Sequence, residues 1–183
     1  HLATAASMLE GTTDVAFTTC RRASIYDDGT MHTNPIAWPI QGPQSGISDQ
    51  QFVRWFTQKL FFAMSSTVVL RSRALEVGML DVQMRRRHDI DFWLRLIHGK
   101  TWSCTPIATT IYREDTPGSI SRAVASAQQF MVRALLKNQP LYDNELMATL
   151  IRSRARSAMI SALTEGTAED RAAAKELTWP HLS

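Results

Sequence analysis

Residues 85–96 read Arg-Arg-Arg-His-Asp-Ile-Asp-Phe-Trp-Leu-Arg-Leu and set one imidazole and two carboxylates, His88, Asp89 and Asp91, within four consecutive positions. Such groups take protons from hydroxyls near neutral pH when they lie within hydrogen-bond reach. Phe92 and Leu96, with Trp93 and Ile97 beside them, recur at helical spacing, and Gly99 ends the run. The three polar groups therefore stand at the opening of a helix over residues 89–98. Free backbone N–H groups there can orient a carboxylate, and the positive end of the helix favours its ionised form. In helical register Asp91 points about 200° around the axis from Asp89. It also precedes Arg95 by one helical turn, which permits an ion pair worth about 0.2–0.5 kcal/mol. The two carboxylates are thus not equivalent. Asp89 either performs chemistry or caps the helix, and Asp91 reads as a structural brace for Arg95. Trp93 either stacks on a ligand or packs in the core. His88 can donate to a hydroxyl or a phosphate, or stay a neutral polar contact.

These residues need a scaffold, and the rest of the chain reads as one. Leu2, Ala5, Ala6 and Leu9 share a helical face closed by Gly11. Residues 14–19 are nearly continuous apolar text, as in a buried parallel strand, and residues 21–25 can extend it. Asp27-Asp28-Gly29 is a turn signal that fully accounts for its two acids. Residues 30–33 return as a short strand. Residues 35–48, rich in Pro, Gly and Ser, read as a long loop. Trp38 within it either covers a substrate or docks on the core. Asp49 is placed to cap a broadly apolar helix that contains Phe52, Val53, Trp55 and Phe56. Thr67-Val68-Val69-Leu70 is a β-branched strand, followed by a helical turn that Gly78 ends. Pro106 interrupts residues 102–111, so no regular central strand runs throughout. From residue 120 onward alternation gives way to Ala-rich helical text. Pro140 separates its first two helices, Gly166 breaks the second, and residues 168–177 form a short last one. No heptad or internal repeat is present. A helical tail of this kind can pack on its own domain, form a homo-oligomer interface or cap a domain near a membrane.

Composition bounds the class. With 183 residues the chain can bury a substantial core, and 44% apolar residues is an ordinary globular share. The net charge of +3 is too small to indicate nucleic acid. That partner would need Arg71, Arg73, the arginines at 85–87 and those at 152–156 on one continuous face. Two cysteines, Cys20 and Cys104, in apolar segments fit a reducing compartment. No apolar run long enough to span a bilayer exists. The start lacks a basic leader and an initiator Met. Together these favour a cytoplasmic chain, one able to sit at a membrane surface, that is an excised or trimmed piece of a longer product.

Three segments together resemble one known family. Residues 66–81, Ser-Thr-Val-Val-Leu-Arg-Ser-Arg-Ala-Leu-Glu-Val-Gly-Met-Leu-Asp, look like the strand, turn and glycine-aromatic-acid segment of GT-A-fold, family 2 glycosyltransferases. His88-Asp89-Ile90-Asp91-Phe92-Trp93-Leu94-Arg95 is similar to that family's "E-D-x-D-L-W-x-R" run. Residues 109–121, with Tyr112-Arg113, look like its "Y-R-x-H…S" segment, and residues 14–29 like the strand and hairpin after its metal-binding acidic motif. The resemblance covers about residues 2–122. Met79-Leu80 and His88, where the family usually has Glu, depart from the pattern.

The resemblance implies an α/β chain with a truncated GT-A (nucleotide-diphospho-sugar transferase) fold. Residues 1–122 would be the C-terminal part of that domain, a mixed sheet with flanking helices, and residues 123–183 an α-helical extension. It implies inverting transfer from a nucleotide-diphosphate sugar to a saccharide or lipid-linked saccharide acceptor, as in polysaccharide synthesis. Asp89 matches the catalytic base and His88 is its rival. Arg113 could meet a phosphate or tie down its loop. Asp115 falls where the family often has a metal- or diphosphate-associated His, and could ligate Mg²⁺ or Mn²⁺ or simply form the turn before Pro117-Gly118. The main metal ligands, an acidic pair, are expected before residue 1. The alternative is a non-catalytic, transferase-like interaction module.

Overall fold

A computed structural model describes residues 1–19, 23–33, 40–57, 64–113, 124–142 and 144–182. Trp38, Asp115 and Cys20 lie outside the described residues. The chain forms two compact units, and each takes two separate stretches. One comprises His1–Val77 and Gly99–Ser119, the other Gly78–His98 and Ile120–Ser183. The helix of residues 88–97 falls in the second unit, where it packs on the helix of residues 124–142.

The first unit carries every strand among the described residues. Helix α1 (Leu2–Leu9) precedes β1 (Ala16–Thr19), β2 (Ala23–Ile25) and β3 (Met31–Thr33). Then come β4 (Gln44–Ser48), α2 (Asp49–Thr57), β5 (Thr67–Val69), α3 (Arg71–Glu76), β6 (Thr101–Thr105) and β7 (Ile111–Arg113). Four strands form a mixed sheet in the order β4-β6-β1-β5, with β1 parallel to β6 and antiparallel to β5. The other three form a sheet in the order β3-β2-β7. The β2–β3 hairpin turns at Asp27-Asp28-Gly29: Gly29 takes φ 81°, and Asp28 Oδ1 accepts from Thr30 N at 2.8 Å.

Two expectations in this unit need correction. Residues 44–48 are not loop but strand β4, paired antiparallel with β6 across an irregularity between Gln44 and Ile47. Its sequence, Gln-Ser-Gly-Ile-Ser, has almost no strand character. The pairing is imposed from outside. Buried Asp14 accepts from Gly46 N at 3.0 and 3.2 Å and also bonds Ser103 Oγ. Ser48 rather than Asp49 caps α2. Ser48 Oγ accepts from Gln51 N at 3.2 Å, the geometry of a cap, while Asp49 Oδ2 reaches Gly99 N at 2.9 Å. Asp49 thus holds the turn before β6. Trp102 from β6 then meets Phe52 and Trp55 of α2 edge-on, at centroid distances of 6.0 and 5.5 Å.

The second unit is helical: α4 (His88–Ile97), α5 (Val124–Tyr142), α6 (Glu145–Glu165) and α7 (Ala168–Thr178). Pro140 does not divide the first two tail helices, because α5 runs through it to Tyr142. Only the last turn is affected. There Tyr142 is buried and its Oη donates to Leu94 O at 2.8 Å, which holds the helix end despite the missing N–H. Asn144 opens α6 by accepting from Met147 N, and Thr167 with Asp170 forms a capping box on α7. Among the described residues no helix is long and apolar enough to cross a membrane.

Candidate functional site

Helix α4 starts from Arg87, which sits in the left-handed region at φ 55° and gives no side-chain cap. Its carbonyl accepts from Ile90 N at 3.1 Å and Asp91 N at 3.3 Å. That places His88 and Asp89 in the first turn, both half-buried. Asp89 Oδ1 accepts from Ile90 N at 3.0 Å, so the carboxylate touches the opened backbone without being the helix cap. Among the described residues Asp89 Oδ2 and the His88 ring have no hydrogen-bond partner. The next two turns bury Ile90, Phe92, Trp93, Leu94, Leu96 and Ile97.

Asp91 is a different group altogether. It is 0% exposed, and four donors surround it. Arg95 reaches Oδ2 through Nη2 at 2.7 Å and Nε at 3.2 Å. Asn138 Nδ2 donates to Oδ1 at 2.9 Å, and Lys137 Nζ lies 3.1 Å from Oδ1 and 3.2 Å from Oδ2. The same ammonium lies 2.6 Å from Asp81 Oδ2, and Arg95 Nη2 also donates to Met79 O at 2.8 Å. One buried carboxylate therefore ties together α4, α5 and the loop before α4. Asn138 in turn is fixed by donating to Ala134 O.

The electrostatics follow from this geometry. Burial pushes the Asp91 carboxyl up, but the hydrogen bonds from Arg95, Asn138 and Lys137 outweigh it and hold the group below the ordinary carboxylate value. Burial lowers Lys137, and its two carboxylates more than reverse that, leaving it above the ordinary lysine value. The hydrogen bond from Lys137 likewise holds Asp81 down. The signs set a stability window. A depressed acid stabilises the fold fully above its unfolded value, about 3.9, and that contribution is lost as pH falls through the folded value. A raised lysine stabilises it below about 10.4, and that is lost as pH climbs through the folded value. Thermal stability should be flat between these limits and fall on both sides, the acid limb depending on Asp91. A melting series across pH that is unchanged by Asp91→Asn on the acid side would contradict this.

Two other sequence-based candidates, Trp93 and Arg113, lie among the described residues. Trp93 is only 3% exposed, with its ring 5.3 Å from that of Phe92, so it has no face on which a sugar could stack. Arg113 belongs to the strand-bearing unit, at the end of β7. Its Nη1 lies 3.4 Å from Asp27 Oδ1, an exposed pair of little energetic weight. Among the described residues no group of three His, Cys, Asp or Glu could hold a metal ion. Where two carboxylates do converge, at Asp81 and Asp91, Lys137 already lies between them. Lys137 and Asn138 went unread in the sequence. They lie 46 and 47 residues from Asp91, and no local pattern marks them.

Comparison of the chain with protein-family models, with curated proteins and with solved structures finds no match.

Proposed function

We propose that this chain supplies the acceptor side of an inverting glycosyl transfer. The donor is a nucleotide-diphosphate sugar, and the acceptor is a hydroxyl of a saccharide or lipid-linked saccharide. In the reaction the acceptor oxygen bonds to the anomeric carbon, and the bond from that carbon to the diphosphate breaks. The diphosphate leaves with the electron pair, and the hydroxyl proton passes to Asp89. The observation that carries this reading is the split between the two carboxylates of one helix. Asp91 has all its acceptor capacity engaged and sealed from water. Asp89, two residues earlier, keeps an oxygen that no described residue engages, at a half-exposed helix opening beside His88. A base needs such an open oxygen, and a rigid support beneath it keeps it aimed.

On this reading the strands belong to a GT-A-like domain, the C-terminal helices form its extension, and the chain works in the cytoplasm. The metal that the family uses at the donor phosphates is assigned to no described residue, and no step above depends on it.

The test uses the full-length gene product with Mn²⁺, a panel of nucleotide-diphosphate sugars and saccharide acceptors. Acceptor-dependent release of nucleoside diphosphate, with inverted product stereochemistry, is the expected result. Failure of every nucleotide diphosphate to bind at millimolar concentration would overturn it in favour of a non-catalytic interaction module.

A further inference from the structure

The loop that leads into α4, residues 78–87, carries features that neither the buried cluster nor the transfer chemistry uses. Three of its apolar side chains face solvent: Val82 is 95% exposed, Met79 49% and Leu80 37%. The loop does not fold these groups inward, because its backbone is clamped. Gly78 and Met79 take φ of 84° and 59° in succession, and a left-handed Met is uncommon. Met79 O is held by Arg95 at 2.8 Å, and Asp81 by Lys137 at 2.6 Å. Asp81 also closes a tight turn, its Oδ1 accepting from Gln83 N at 2.8 Å and its carbonyl from Met84 N at 3.2 Å. The base of the loop is thus anchored to the buried Asp91 cluster while its apolar tip stays in water.

The charge beside this tip is mostly positive. Arg85, Arg86 and Arg87 follow directly, Arg85 exposed and the other two half-buried. The loop's own acid, Asp81, is matched by Lys137, and the next carboxylate along the chain is Asp89. An apolar tip of three residues is small for a protein interface, which needs a broader patch. Beside three arginines it suits a surface where a little apolar insertion and several cations add together, the headgroup layer of an anionic bilayer.

We propose that residues 79–87 form a membrane-contact loop. Val82, with Met79 and Leu80, enters the boundary between headgroups and acyl chains, and the arginines meet anionic lipid phosphates. The proposal is independent of the transfer reading: a lipid-linked acceptor would be brought near Asp89, but vesicle binding requires no turnover.

The test is co-sedimentation of the protein with phosphatidylcholine vesicles, with and without roughly one-third phosphatidylglycerol. Binding to the anionic vesicles, weakened by added salt, is expected. Val82→Asp should lower it by at least about ten-fold, and Arg85→Gln by about five-fold. Both side chains are exposed, so melting temperatures should stay unchanged. Val82→Trp should strengthen binding, since Trp favours the interface. Equal binding to neutral and anionic vesicles, or binding indifferent to all three substitutions, would overturn the proposal. So would Val82-dependent self-association without vesicle binding, which would assign the tip to a second copy of the chain.

Discussion

Asp91→Asn should melt about 6–20 °C below the parent protein, and this loss should precede any question of chemistry. The substitution keeps the shape of the side chain but removes the one charge that Arg95 and Lys137 share. Removing one partner from a buried ion pair costs about 3–5 kcal/mol, chiefly because the remaining charge is stranded. For a chain of this length each kcal/mol corresponds to about 2–4 °C. Asn138 can still donate to the new amide oxygen, so part of the cluster survives. The cations differ in exposure, and the controls should rank accordingly. Lys137 is nearly half exposed, so Lys137→Met should cost less than the change at Asp91. Arg95 is mostly covered and also holds Met79 O, so Arg95→Met should lie between them. Calorimetry of the three variants would test this order. A normal melting temperature for Asp91→Asn, together with lost turnover, would transfer Asp91 from structure to chemistry.

What the sequence made legible was local. The first helix over Leu2–Leu9, the Asp-Asp-Gly hairpin and the stop at Gly99 all rest on patterns that a few neighbouring residues impose. Asp91 and Arg95 were visible as a pair because one helical turn separates them. What failed was decided at a distance. Strand β4 has a sequence that makes a loop in isolation, and only buried Asp14 and the edge of β6 turn it into a strand. Pro140 reads as a break, yet burying Tyr142 two residues later outweighs a lost N–H. The same holds for the site. Two of the donors to Asp91 come from α5, and nothing near residue 91 announces them. Trp93 was ambiguous for a further reason. A helix opening with an apolar stripe does not reveal how far the stripe extends, and burial reaches round to Trp93 as well as Phe92.

On the transfer reading proposed above, Asp89→Asn should lower turnover by about 10²–10⁴-fold, the range that a positioned proton acceptor contributes, while donor binding and melting temperature stay unchanged. The fold should not register the change. Asp89 is half-buried, and among the described residues its carboxylate bonds only the N–H of Ile90. An asparagine carbonyl can accept from that same N–H, so the helix opening keeps its geometry while the group that takes the proton is gone. This inverts the pattern expected at Asp91, where stability fails first, and the two carboxylates of one helix can be told apart by a single pair of assays. His88 supplies the decisive comparison. It lies in the same turn and no described hydrogen bond holds its ring, so it could in principle receive the proton. If Asp89→Asn keeps full turnover and His88→Ala loses it, the base is the imidazole. If Asp89→Asn loses turnover and His88→Ala changes only the acceptor KM, Asp89 takes the proton and His88 positions the acceptor. The second outcome is the expected one, because Ile90 N holds the Asp89 carboxylate in place at the opening of a helix that the Asp91 cluster anchors.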